Sequence, residues 1–152
     1  MTRETKWGAL QEVYSGLEIE KVGAIYVARA TKSIGNWHLE SIKQQIYPLI
    51  DKDGRMYLAR NEMQYQGEEI PLLGLDLTPT TCRYICFKFM GVITNFNRTA
   101  QQNNGNFAVS AKRETRRVFE LLGIQYLINA CTNADDALSF LEKKLGNLLI
   151  NQ

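Results

Sequence analysis

Histidine and cysteine are scarce in this chain of 152 residues, which holds one His and three Cys. A structural zinc site needs four ligands. Cys82 and Cys86 stand four apart, a spacing that suits a metal on a helix, but both fall in an apolar stripe. His38 is far away in sequence and Cys131 sits at a strand end, so core thiols are expected and no metal or other cofactor is. An odd number of cysteines without framework spacing excludes a disulfide scaffold and implies reduced thiols in a cytoplasmic protein. Long apolar runs are missing as well. None nears the ~20 residues that span a bilayer, and the opening "MTRETKWGALQEVY" lacks the apolar centre of a signal peptide. Charge of one sign is not in excess: 18 Lys and Arg face 16 Asp and Glu, a net of +2. That charge is too small to imply a nucleic-acid or membrane partner by itself, and neither nucleic-acid binding nor membrane insertion is expected. There is no internal repeat, low-complexity tract, nucleophile elbow or phosphate-binding glycine loop.

What remains is an ordinary soluble composition, 45% hydrophobic and 22% charged, enough for one domain with a core. Residues 1–16 read as an N-terminal extension or short helix, with Trp7, Leu10, Val13 and Tyr14 as its apolar positions, and 17–152 as a single domain. "LEIEKVGAIYVARAT" alternates like two strands around a turn at Val22–Gly23. Leu39, Ile42, Ile46, Leu49 and Ile50 share one helical face, with Asn36 as its cap and Pro48 fraying its end. Met56 to Ala59 reads as a short strand in a polar loop, and "IPLLGLDL" as the buried centre of a sheet. Cys82, Ile85, Cys86, Phe89, Met90, Ile93 and Phe96 form the stripe of a long helix that stops at Gly105. "NFAVSA" is a strand. Lys112–Leu122 is a helix with Thr115, Val118, Phe119 and Leu122 inward, and "QYLINA" is another strand. In "TNADDALSFLEKKL" Thr132 and Asp135 make a capping-box pattern for a last helix, with Ala134, Ala137, Leu138, Leu141 and Leu145 as its buried face. Strands alternating with helices after a hairpin imply an α/β fold. Its sheet is mixed and mostly parallel, with about 4–6 strands and about four helices packed on it.

Several candidate sites weaken on inspection. His38 and Glu40 are two apart on a helix and do not face each other, so they are no acid–base pair. Lys112, Arg113, Arg116 and Arg117 form a basic helix face, read as solvated because no aromatic platform accompanies it. Gly91 inside the long helix is read as permitting close packing. The hydroxyls of "DLTPTT" stand at a strand-to-helix junction. Thr78, Thr80 and Thr81 are read first as caps or turn formers, with Pro79 at the first helical position. The lesser reading is a regulatory phosphosite at Thr80 or Thr81, where a phosphate would meet the positive end of a helix.

The order of elements resembles the STAS domain, the module of bacterial anti-sigma-factor antagonists. "NFAVSAKRETRRVFELLGIQYLINACTNADDALSFL" carries the strongest likeness: a strand, a basic helix ending at Leu122–Gly123–Ile124, a short strand, and the Asp135–Asp136–Ala137–Leu138 helix. "GLDLT" is similar to the central strand with its Asp-Leu-Ser signature, and the likeness spans roughly Leu17 to Leu145. Two departures stand out. Asp51–Pro71 is longer than the family's segment, and the family's Asp-Ser-Ser/Thr-Gly phosphoacceptor loop is not visible. Counting from Asp76 puts that loop at Tyr84–Cys86; counting back from Gly91 and Val92 puts it at Cys86–Lys88. Neither place holds an alcohol. The resemblance implies a protein-interaction domain without enzymatic activity, acting in signal transduction and transcription regulation. It would dock onto an anti-sigma-type kinase or another signalling subunit through Thr78, Thr80, Thr81 and Arg83, ungated by phosphate. The alternatives are a homodimeric scaffold using Trp7 and the N-terminal segment, and a ligand-sensing STAS-like module with Met56, Tyr57, Met63 and Tyr65 as a lid.

Overall fold

The computed structural model of the chain describes residues 2–4, 10–80 and 87–150. Strand β1 (Thr2–Glu4) pairs antiparallel with β2 (Leu10–Glu12), so these residues of the segment read as an extension or short helix are strands. The main sheet opens with a second hairpin, β3 (Leu17–Val22) and β4 (Ile25–Ala30). Its two-residue turn is Gly23–Ala24, and Gly23 has the positive φ, 62°, that such turns require.

Helix α1 (Leu39–Ile50) buries Leu39, Ile42, Ile46, Leu49 and Ile50, as the periodicity required, and Tyr47 besides. A turn of 3-10 helix, Asn36–His38, leads into it, so Asn36 does not cap it, and the helix continues through Pro48 to Ile50. The next segment contains no strand. Asp51 is its organiser: its carboxylate accepts the N–H groups of Tyr57 at 2.8 Å and Leu58 at 3.0 Å. Residues 56–58 therefore fold as a turn into a 3-10 helix, Ala59–Asn61. Tyr57 stacks on Tyr47 with ring centroids 4.6 Å apart, and Met56, Met63 and Tyr65 pack against the core.

Strand β5 (Leu72–Asp76) is buried at every position. It is followed by α2 (Phe87–Gln102), β6 (Asn106–Ser110), α3 (Arg113–Leu121), β7 (Ala130–Cys131) and α4 (Ala134–Ile150). The sheet order is β3-β4-β5-β6-β7, antiparallel only between β3 and β4. A strand apolar on both faces needs cover on both faces. Leu73, Leu75, Phe107 and Val109 share one core with α1, α2 and Phe119 of α3, while Ile25, Leu72 and Ala108 meet Ala137 and Leu141 of α4 on the other side. Edge strand β3 is mostly exposed and carries Glu18, Glu20 and Lys21, charges that discourage pairing with a foreign strand.

The C-terminal third departs from expectation in detail. Only Ala130 of "QYLINA" is strand, continued by Cys131; Tyr126 and Leu127 are exposed and Ile128 is buried. Leu122 is exposed rather than inward, because the chain leaves α3 beside it through Gly123, whose φ is 70°. The last helix is capped by Asn133, whose Oδ1 accepts the Asp136 N–H at 2.8 Å, and not by Thr132. Of its expected face, Ala137 and Leu141 are fully covered.

Two glycines have different reasons from those expected. After α2 the left-handed residue is Asn104, with φ 62°. Gly105 is needed for space, since a Cβ there would lie 1.7 Å from the Pro71 carbonyl oxygen. Gly91 is exposed and a Cβ on it would meet nothing within 4 Å, so it mediates no close packing. Gly105→Ala should therefore destabilise the fold by about 3 kcal/mol, while Gly91→Ala should stabilise it by about 1 kcal/mol. Urea unfolding of both variants measures these opposite signs.

Candidate functional site

The carboxyl end of the sheet gathers polar groups from three strands. Register places Arg29 of β4, Asp76 of β5 and Ser110 of β6 side by side. Asp76 is 3% exposed, and a buried carboxylate must be paired and hydrogen-bonded. It accepts the Thr78 N–H at 2.9 Å, the Thr78 hydroxyl at 2.6 Å and the Ser110 hydroxyl at 3.1 Å on Oδ1. Its Oδ2 takes the Arg29 Nε–H at 3.2 Å. Burial alone would raise the pKa of this carboxyl, but the donors of Thr78, Ser110 and Arg29 outweigh it and hold it below the ordinary value.

Beyond Asp76 the chain turns, with the Thr80 N–H on the Leu77 carbonyl at 3.3 Å. Thr80 is 3% exposed, and its hydroxyl donates to the Lys32 carbonyl at 2.8 Å. The same carbonyl accepts the Tyr14 hydroxyl at 2.6 Å. One main-chain oxygen thus fastens together the N-terminal segment, the loop leaving β4 and the loop leaving β5. Thr78, read as a cap or turn former, closes a turn on Asp76 with both its N–H and its hydroxyl. Thr81, Arg83 and both counted positions of the family's acceptor loop up to Cys86 lie outside the described residues. Around this end stand two large exposed apolar groups, Trp37 at 50% and Phe87 at 80% exposure.

The other sequence candidates are dispersed. His38 Nδ1 accepts the Gly35 N–H and its Nε2 lies 3.3 Å from Glu12, whereas Glu40 pairs with Lys43 and accepts the Tyr57 hydroxyl. In the basic helix Lys112, Arg113 and Arg117 are exposed, while the Arg116 Nε–H is tied to the Ala111 carbonyl at 3.0 Å. No group of three or more His, Cys, Asp or Glu suited to a metal occurs among the described residues. None of the described helices is long and apolar enough to cross a membrane.

No family model matches the sequence, and no curated protein matches it significantly. Solved structures do match the fold. An anti-sigma-factor antagonist from Mycobacterium paratuberculosis superposes with a TM-score of 0.63 at 18% identity, over 83% of this chain and 92% of that one. A candidate anti-sigma-factor antagonist from Thermotoga maritima gives 0.63 at 15% identity, over 85% of this chain and 97% of that one. The chain therefore has the fold of these antagonists, the STAS fold, as the order of its elements implied.

Arg29, Ser110, Tyr14 and the Lys32 carbonyl were missed from sequence. Arg29 had a signal, as the one charge within an otherwise apolar strand; a carbonyl has none. The Asp76 geometry has a measurable consequence. A depressed native pKa means that its contribution to stability is complete above 3.8 and is lost as pH falls through the lower folded value. Asp76→Asn should cost about 2 kcal/mol near neutral pH, and its deficit against wild type should shrink on acidification below about pH 4. Urea midpoints across that range test it; a constant deficit would contradict a carboxylate held charged.

Proposed function

We propose that the chain is a non-enzymatic protein-docking domain of bacterial signalling. It acts in the control of transcription by competing for the surface of an anti-sigma-type kinase or another signalling subunit. The observation that carries this reading is the STAS fold over most of the chain, combined with a β5–α2 junction whose two described hydroxyls are already engaged. The docking surface consists of the junction, with Thr78, Thr81 and Arg83 facing the partner, Thr80 holding the loop in place from beneath, and Trp37 and Phe87 as apolar anchors. Large aromatic side chains standing free in water are what interface hot spots are made from.

Binding is not gated by phosphate in this reading. A phosphoryl group on Thr80 would place nearly two charges at a buried position bonded to Lys32. For the same reason Thr80→Glu is a poor mimic, since it would break the junction. Affinity capture from the source cell with wild type and Phe87→Asp, followed by phosphopeptide mapping, tests the reading. We expect one partner protein to be recovered stoichiometrically with wild type and lost with Phe87→Asp, and Thr78, Thr80 and Thr81 to be unmodified. Equal recovery with Phe87→Asp would remove this surface from the function. Stoichiometric phosphate on Thr80 or Thr81 would overturn the ungated mechanism.

A further inference from the structure

A cavity of about 410 Å³ opens at the other end of α2, lined by Asp51, Asp53, Arg55, Met56, Gln102 and Asn103. Its size falls within the roughly 300–1,000 Å³ of small-molecule sites. Its frame is held by bonds that leave other groups free. Asp51 spends its carboxylate on the N–H groups of residues 56, 57 and 58. Asn103 accepts the Asp53 N–H at 2.9 Å through Oδ1 and donates Nδ2 to the Thr99 carbonyl at 2.8 Å. This clamps the segment to the end of α2. A tight turn, Gly54 N–H to Asp51 carbonyl at 2.9 Å with Gly54 at φ 73°, sets Asp53 and Arg55 on its two sides.

The Asp53 carboxylate, the Arg55 guanidinium and the Gln102 amide make no hydrogen bond or ion pair to any described residue. Asp53 and Arg55 do not neutralise each other. The nearby cation, Lys52, is engaged elsewhere, 2.7 Å from the Glu69 carboxylate. A fixed cavity thus presents one unpaired anion, one unpaired cation, an amide and the thioether of Met56.

We infer that this cavity binds a small zwitterion of the α-amino-acid class. The ligand's carboxylate meets the Arg55 fork, which suits two oxygens in one plane. Its ammonium sits between Asp53 and the C-terminal end of α2, where the helix dipole favours a cation. Its side chain lies along Met56. The inference stands apart from the docking surface and gives the long Asp51–Pro71 segment a role.

Isothermal titration with free L-valine, L-leucine, L-glutamine and L-phenylalanine tests it, with the N-acetyl and carboxamide forms of each as controls. At least one free amino acid should bind, and removing either of its charges should weaken binding about tenfold or more. Arg55→Ala and Asp53→Asn should each lose binding to the same degree with unchanged thermal midpoints, because both side chains are exposed and unbonded. The inference is overturned if none of the four binds at millimolar concentration, if the neutralised forms bind equally well, or if either variant binds like wild type. Partner capture with the same two variants keeps the question separate from docking: the partner should be retained whatever the titration shows.

Discussion

The carboxylate of Asp76 is the constraint on which the carboxyl end of the sheet depends. A charge buried there must be surrounded by donors, and the sheet supplies them from both neighbouring strands as well as from the chain just beyond. Three consequences follow from one group. It fixes the lateral register of β4, β5 and β6 at their carboxyl ends. It bends the chain out of β5 in a defined direction, because Thr78 must turn back to reach it. It also consumes the hydroxyl of Thr78, so a residue that invites a functional reading is structural before it can be anything else.

Much of the architecture was legible in the amino-acid pattern because burial on two faces leaves few alternatives. "IPLLGLDL" fits the middle of a parallel sheet, and Phe89, Met90, Ile93 and Phe96 all lie in the core. The misreadings share a cause. The short apolar run in "QYLINA" reads like a strand, but Tyr126 and Leu127 are exposed and only Ala130 of the segment joins the sheet. Leu122 follows the helical period yet sits where the chain is already leaving. Periodicity records what a segment would bury if it were long enough, not whether its neighbours reach it. Gly91 and Gly105 show the same limit: the local code does not say which of two glycines faces a wall.

The candidate site was less legible than the fold, and for a different reason. Its central acceptor is a main-chain carbonyl and its partners come from distant parts of the chain, Tyr14 and Thr80. No spacing rule joins residues so far apart. The match to antagonist structures at 15–18% identity makes the complementary point. Layered packing keeps its shape through extensive replacement of the residues that fill it, so fold similarity outlasts the local motifs by which families are recognised.

The shared oxygen at Lys32 has a consequence for how this domain can change over time. Every residue type carries a carbonyl, so substitution at position 32 cannot delete the acceptor. The two hydroxyls that converge on it are replaceable. Mutational history should therefore be asymmetric, permissive at the hub and restrictive at its spokes, with the identities at 14 and 80 constrained together across a gap that no local pattern bridges. A residue without a signature of its own would then be visible only as a correlation between two others.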